Sequence, residues 1–125
     1  MLKPFILAAA LQLAQTTSPD GLIHLSCTLP PDDKYPAITT GIIINPSQKT
    51  AWIDRTCGGG TTGAVSPAYI DQGLIAFRVP CKGAEGTPTW LGFSIDRYTG
   101  AFTETMQGMS LSFSGQCIAG VKQLF

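Results

Sequence analysis

One cysteine stands beside a run of glycines, and this is the part of the sequence that most resembles reactive chemistry. Residues 52–65 read WIDRTCGGGTTGAV, with Cys57 directly before the glycines. A nucleophilic thiol needs a nearby base that orients it and lowers its pKa. The chain's only histidine, His24, lies on the predicted outer face of the first strand. We therefore predict no catalytic residue and regard a hydrolytic enzyme as the less favoured function.

The same run also matches a phosphate-binding pattern. Gly58 to Gly63 satisfies G-x-G-x-x-G, which binds a pyrophosphate when backbone amides and a helix N-terminus converge on it. A predicted strand, not a helix, follows at Ala64. The match is therefore interpreted as coincidental, and no cofactor is predicted.

The four cysteines indicate cross-links rather than a metal site. Cys27, Cys57, Cys81 and Cys117 include no C-x-x-C pair, and one histidine adds little to a ligand set. An even count in a small exported chain is read first as disulfides. We prefer Cys57 with Cys81, which follow odd-numbered strands, and Cys27 with Cys117, on the first and last strands. The other two pairings stay open.

A short turn sequence recurs around the glycine run. SIDRYTGAF, residues 94–102, matches WIDRTCGGGTTGAV once Cys57 to Thr61 are treated as an insertion. An Asp at the end of a strand accepts hydrogen bonds from the next backbone N–H groups, and a Gly four residues later takes a positive φ. INPSQKTAW resembles a degenerate third copy, with Asn45 for the Asp and Lys49 for the Gly. We predict turns here and assign Asp54 and Asp96 to them, not to acid–base catalysis.

The elements that carry these turns are short and alternate apolar with polar residues. This pattern is typical of antiparallel hairpins. The predicted strands are Leu22–Cys27, Ile38–Asn45, Thr50–Asp54, Ala64–Ile70, Leu74–Val79, Trp90–Asp96, Ala101–Met106 and Met109–Cys117, with PPDDKYP and KGAEGTP as loops. We predict an all-β fold, a small antiparallel eight-stranded up-and-down barrel or a flattened sandwich, with two disulfides.

Alternation also predicts which side of each strand faces the core. The inward residues are Ile23, Leu25, Cys27, Ile42, Ile44, Ile75, Phe77, Val79, Leu91, Phe93, Ile95, Met109, Leu111, Phe113, Gly115 and Cys117. Trp52 and Trp90 then face outward, and Tyr98 lies on a hairpin tip. Exposed large aromatics mark contact surfaces, so these three are the predicted partner-binding residues.

The first residues have the order of a secretory signal peptide, with Lys3 ahead of an apolar run. We predict a signal at residues 1–15, cleaved after Ala14 or Gln15, and one domain at 16–125. Removing Lys3 leaves seven basic against eight acidic residues, so nothing attracts nucleic acid or an anionic membrane. The strands are too short to cross an outer membrane. We expect a monomer, secreted or periplasmic.

The segments IHLSC, IDRYTGAF and FSGQCIAGVKQLF resemble a loose group of small exported proteobacterial proteins that have no assigned function. The size and eight-strand order are also similar to the architecture of periplasmic lysozyme inhibitors, a small disulfide-bearing barrel. Their loop carries a Ser-Gly with a later aromatic, whereas Ser114-Gly115 is followed by Gln116-Cys117. No site is transferred from them.

Two functions remain from the sequence. The favoured one is an exported non-catalytic binding or inhibitory module for a protein or small-molecule partner in the cell envelope or outside. The alternative is a carrier with a small apolar ligand inside the barrel, since eight strands enclose space for side chains or for one ligand. The many bulky inward residues favour a filled core.

Overall fold

The computed structural model describes residues 19–54, 64–82, 86, 88–108 and 112–120. It contains eight strands: β1 Ile23–Leu29, β2 Ile38–Asn45, β3 Thr50–Ile53, β4 Ala64–Ile70, β5 Leu74–Lys82, β6 Pro88–Asp96, β7 Ala101–Met106 and β8 Ser112–Ala119. The predicted signal peptide, Cys57 with its glycine run, Met109 and Leu111 lie outside the described residues.

The strands form one closed antiparallel barrel in sequence order. Each pairs with the next along the chain, and β8 pairs with β1 to close the sheet. The predicted all-β fold is confirmed, and it is the barrel rather than the flattened sandwich. Antiparallel neighbours can be joined directly by a turn or loop, without a crossover, and β2–β3, β4–β5 and β6–β7 are joined by turns of three or four residues.

A disulfide crosses the closure of the barrel. Cys27 and Cys117 are directly opposite each other in the β1–β8 register and are bonded through their sulfurs. Both residues are buried, so the predicted pairing is confirmed. Cys81 lies within β5 rather than in the loop predicted for it, because β5 extends three residues further than expected. Cys81 is disulfide-bonded, and since Cys57 is outside the described residues, its pairing with Cys81 remains a prediction.

The core lies inside the barrel and consists mainly of branched aliphatic and aromatic side chains. The predicted inward residues of β1, β2, β5 and β6 are buried, because alternate side chains of a strand point to the same face of the sheet. Three rings stack at its centre. Phe93 lies 5.1 Å from Phe77 and 5.7 Å from Phe102, measured between ring centroids.

The last strand departs from the predicted burial. Phe113 was expected in the core but is 45% exposed. Phe113 is paired with buried Glu104, so it does lie on the predicted inner face of the sheet. The prediction that it is buried was wrong, because Phe113 lies near the start of β8 at the end of the barrel. Two residues further along β8, position 115 has no room for a side chain, because a Cβ added to Gly115 would lie 2.0 Å from the Thr28 carbonyl oxygen.

The recurring turn has the predicted geometry in two of its copies. Asp96 Oδ1 accepts hydrogen bonds from the N–H groups of Tyr98 and Thr99, at 2.8 and 3.0 Å, and Gly100 has φ +78°. In the degenerate copy, Asn45 Oδ1 accepts from the Gln48 N–H at 3.1 Å, and Lys49 has φ +55°.

Asp54, in the copy that holds the insertion, is placed differently from Asp96. Its carboxylate accepts a hydrogen bond from the Gly41 N–H of β2 at 2.9 Å, and its own N–H donates to the Gly41 carbonyl. The contact extends the β2–β3 pairing by one residue beyond β3. The rest of that turn, residues 55–63, is outside the described residues.

Candidate functional site

The structure brings two of the three predicted contact residues to one region of the outer surface. Trp52 of β3 and Trp90 of β6 alternate with buried neighbours and so face outward. Trp90 lies toward the end of β6 that is away from the turn at 97–100, whereas Trp52 lies three residues beyond the turn at 46–49. They are three strand spacings apart, from β3 across β4 and β5 to β6, which is about 14 Å along the sheet at about 4.8 Å per spacing.

Tyr98 lies at the other end of the barrel. Its turn follows Asp96, six residues beyond Trp90 on the same strand, or about 20 Å at the rise of an extended chain. Its ring packs over Gly73 of the β4–β5 turn, and the neighbouring Arg97 donates to the Asp71 carbonyl. Tyr98 therefore helps to join two turns and does not form a surface with the tryptophans.

Trp90 borders a groove on the outer face of β4 to β7, which we call the Trp90 groove. Its volume is about 560 Å³. The sheet dips here because the outward positions of β5 and β6 carry small residues, Ala76, Gly92 and Ser94, that leave the centre of the surface low. The outward residues that line the groove are Pro67, Ala76, Arg78, Trp90, Gly92, Ser94, Thr103 and Thr105.

The Trp90 ring lies along its own strand and carries a guanidinium. An added Cβ on Gly92 would stand 2.9 Å from Trp90 Cζ3, so the ring rests on the sheet only because position 92 has no side chain. Arg78, directly opposite Gly92 on β5, places its Cζ 4.4 Å from the Trp90 ring centroid. This is a cation–π contact, which favours one orientation of an otherwise flexible side chain.

Three hydroxyl side chains form the opposite side of the groove. Thr103 and Thr105 project from β7, and Ser94 of β6 is directly paired with Thr103. All three are half-buried, and among the described residues none of them makes a hydrogen bond to another side chain. They are available to a ligand in the groove as donors or acceptors.

A second exposed apolar strip adjoins the groove along β4. Val65 and Tyr69 are 65% and 59% exposed, and outward-facing Pro67 lies between them. Trp52 is paired with Val65 on one side and with Ile43 on the other. The strip therefore continues the apolar surface from Trp52 to the edge of the Trp90 groove.

One hydrogen-bonded pair at the end of this strip has shifted pKa values. The Tyr69 hydroxyl donates to Asp71 Oδ2 at 2.8 Å. That bond, with those from the N–H groups of Gly73 and Leu74, lowers the pKa of Asp71. The same bond, together with the carboxylate's negative charge, raises the pKa of Tyr69. Both side chains are at the surface, where they hold the β4–β5 turn.

The remaining candidates from the sequence are accounted for separately. His24 lies on the outer face of β1 as predicted, with its Nε2 3.2 Å from Asp20 Oδ2; Cys57 is outside the described residues. In the part of the chain that is described, no three His, Cys, Asp or Glu side chains gather as a metal site would require. The described residues also include no helix long and apolar enough to cross a membrane.

Sequence reasoning missed Arg78 and the hydroxyl side of the groove. Alternation along β5 and β7 does place Arg78, Thr103 and Thr105 outward. Their convergence, however, depends on which residues pair between strands, and alternation within one strand gives the face of a residue but not which residue lies opposite it. The sequence does contain one indication of the groove, which is Gly92 two residues after Trp90 in a predicted strand. A glycine inside a strand often marks a site where another group approaches the backbone closely.

Comparison with known proteins adds no relative to this geometry. No family model, curated protein or solved structure matches the chain. The resemblance to small exported proteobacterial proteins therefore stays a prediction, and the function has to be argued from the surface alone.

Proposed function

We propose that this chain is an exported, non-catalytic binding or inhibitory module and that the Trp90 groove is its contact surface. The observation that carries the proposal is the Arg78–Trp90 stack beside a cleft of about 560 Å³. Trp and Arg are the side chains that contribute most at binding hot spots, because each combines a large contact area with a polar group. Trp52 and the β4 strip extend the same surface, whereas Tyr98 lies apart from it.

The test compares two surfaces of the full chain. One variant removes the stack, by Arg78→Ala with Trp90→Ala. The matched control, Ile118→Ser, removes an apolar side chain that is 66% exposed on β8, on another side of the barrel. Each immobilised protein is exposed to cell-envelope and extracellular material, and retained molecules are quantified.

We expect a partner that the original chain and Ile118→Ser retain equally and that the double variant loses. Circular dichroism verifies that all three proteins are folded. Equal retention by all three would refute the groove as the contact surface. Loss on Tyr98→Ala alone would move the site to the opposite end of the barrel.

The packing of the interior supports a filled barrel over the alternative of an apolar-ligand carrier. Phe77, Phe93 and Phe102 occupy the centre as a stack of buried rings. Native mass spectrometry of protein purified from its own source checks this. A stoichiometric extra mass that remains in the Arg78→Ala, Trp90→Ala variant would favour the carrier.

The export part of the proposal is supported by the buried Cys27–Cys117 disulfide, since such bonds persist in oxidising compartments. We expect the mature protein to begin after Ala14 or Gln15 and to contain a second disulfide, Cys57–Cys81. N-terminal sequencing and non-reducing peptide mapping test both. An enzymatic role is tested by replacing His24 and Cys57 in any preparation that shows activity.

A further inference from the structure

Among the residues that the structure describes, the polar side chains that face the Trp90 groove are one guanidinium and three hydroxyls. Arg78 makes no ion pair with any carboxylate of the described residues, and the outward residues lining the groove carry no other charge. The described lining of the groove therefore carries one uncompensated positive charge, and an anionic group on a ligand complements it.

The Arg78 side chain is already oriented for this contact. Stacking uses the face of the guanidinium and leaves its N–H donors pointing out from the edge of the plane. A carboxylate accepts two parallel hydrogen bonds from such an edge. Because Trp90 limits the rotamers of Arg78 before the ligand arrives, less entropy is lost on binding.

The hydroxyls suit a ligand that has many hydroxyls of its own. Thr103 and Thr105 are two residues apart on β7, or about 7 Å, and Ser94 stands beside Thr103 on β6. Hydroxyls act as donor and acceptor, as those of a sugar do. The small residues of the groove floor leave room for the rings of an oligosaccharide to lie across the sheet.

A peptide suits this groove less well. Each described strand of the closed barrel pairs with both of its neighbours, although the β4–β5 pairing joins only Ala68–Ile70 to Ile75–Phe77. A peptide lying across the groove would meet three hydroxyls and one guanidinium among the described side chains, which would leave many of its amides without partners. A densely sulfated or phosphorylated polymer requires a basic patch, whereas this groove holds one cation.

We infer that the Trp90 groove binds a carboxylated oligosaccharide, with one uronate carboxylate on Arg78 and sugar hydroxyls on Ser94, Thr103 and Thr105. The inference rests on the proposed function and names the ligand class of the same site. The carboxylate provides orientation, and the hydroxyl contacts select a sugar over another acid.

The test titrates the full chain with tetragalacturonate and with its methyl ester, which is neutral and otherwise alike. Binding is measured by isothermal titration calorimetry, which leaves Trp52 of the same surface in place. We expect a saturable heat of binding with tetragalacturonate, and binding of the ester weaker by about tenfold or more. Arg78→Gln should remove this preference for the charged sugar.

Thr103→Val with Thr105→Val should weaken the binding of both ligands by about tenfold, and Ile118→Ser should change the binding of neither.

Two further probes separate the possible ligands. A glutamate-rich peptide that binds as well as tetragalacturonate, with the same loss on Arg78→Gln, would overturn the sugar assignment. Binding of a heparin tetrasaccharide above that of tetragalacturonate would overturn the single-carboxylate assignment. Absence of tetragalacturonate binding at low millimolar concentration would overturn the inference, whereas the proposed function would stand if its partner were still lost on the Arg78→Ala, Trp90→Ala variant.

Discussion

The smallest feature that shapes the binding surface is the missing side chain of Gly92. Its position lets Trp90 lie flat on β6, and the flat ring in turn supports Arg78. The atom that a Cβ would meet first, Trp90 Cζ3, is at the free end of a side chain, so it can yield where backbone could not. A side chain added at position 92 should therefore displace the Trp90 ring and leave the fold unchanged.

We predict that Gly92→Ala retains the fold but moves the Trp90 ring. The near-ultraviolet circular dichroism of Trp90, measured with Trp52→Phe as parent, should change. In denaturant unfolding, Gly92→Ala should lower the free energy of unfolding by about 1 kcal/mol more when Trp90 is present than in a Trp90→Ala background. Equal free energies of unfolding for the substitution in both backgrounds would contradict the contact.

A second prediction concerns the titration of Tyr69. Its hydroxyl donates to Asp71, which raises its pKa, so its phenolate should form at higher pH than an ordinary tyrosine. Absorbance titration should show one late component among the three tyrosines of the chain. Tyr69→Phe should remove that component, and Asp71→Asn should return it to the ordinary range. A late component that survives Tyr69→Phe would assign it elsewhere.

The hydrogen-bonded pair of Tyr69 and Asp71 also makes the stability of the protein depend on pH. The pKa of Asp71 is lower in the folded protein than the unfolded value of about 3.9. The contribution of ionised Asp71 to the stability of the fold is therefore present above the unfolded pKa and is lost as the pH falls through the folded pKa. The difference in melting temperature between the original chain and Asp71→Asn should shrink below about pH 4. A difference that stays constant from pH 7 to pH 2 would contradict the assignment.

At the scale of the elements, two hairpins use the same turn with different residues. Both begin with an Asx side chain that accepts backbone N–H bonds, but one ends with Gly100 and the other with Lys49. A positive φ is unfavourable for a residue with a Cβ. The β2–β3 turn therefore contains strain that the β6–β7 turn avoids.

We predict that Lys49→Gly stabilises the protein by about 0.5 to 1 kcal/mol, which is the strain removed less the added freedom of the unfolded chain. The Lys49 carbonyl that accepts from Ala68 is kept. The reciprocal change, Gly100→Ala, should destabilise by about 1 to 2 kcal/mol. Chemical unfolding of both variants is the measurement; destabilisation by Lys49→Gly would mean that its side chain makes a contact worth more than the strain.

At the scale of the whole molecule, closure of the barrel depends on a pairing between the two ends of the domain. β1 and β8 meet with Cys27 opposite Cys117, and the disulfide joins residues 90 positions apart. Such a cross-link limits the unfolded chain more than any hairpin contact does, because it closes a loop of most of the domain.

Replacement of both Cys27 and Cys117 by Ala should lower the free energy of unfolding by about 4 to 5 kcal/mol. Urea unfolding of the variant against the original chain measures it. Since both sulfurs are buried, mild reductant without denaturant should leave the Cys27–Cys117 bond intact, as peptide mapping would show. A loss under about 1 kcal/mol would show that strand pairing alone closes the barrel.

The sequence by itself determined the local features of this protein. Alternation identified the strands and their inner faces, because successive side chains of a strand point to opposite sides. The Asp96 turn was predicted in detail, since its hydrogen bonds and its glycine φ lie within five residues. Strand ends, such as the extension of β5 past Cys81, were less accurate because pairing with a neighbour sets them.

Only the tertiary structure decided how deep each residue lies and what converges on the outer surface. Phe113 has the inner face that alternation predicts but stands at the end of the barrel, and depth depends on the stagger between strands. The Trp90 groove brings together Pro67, Arg78, Gly92 and Thr105 from four strands. Their meeting is set by the register of three successive strand pairs and by the stagger of the closed barrel, neither of which follows from alternation within a single strand.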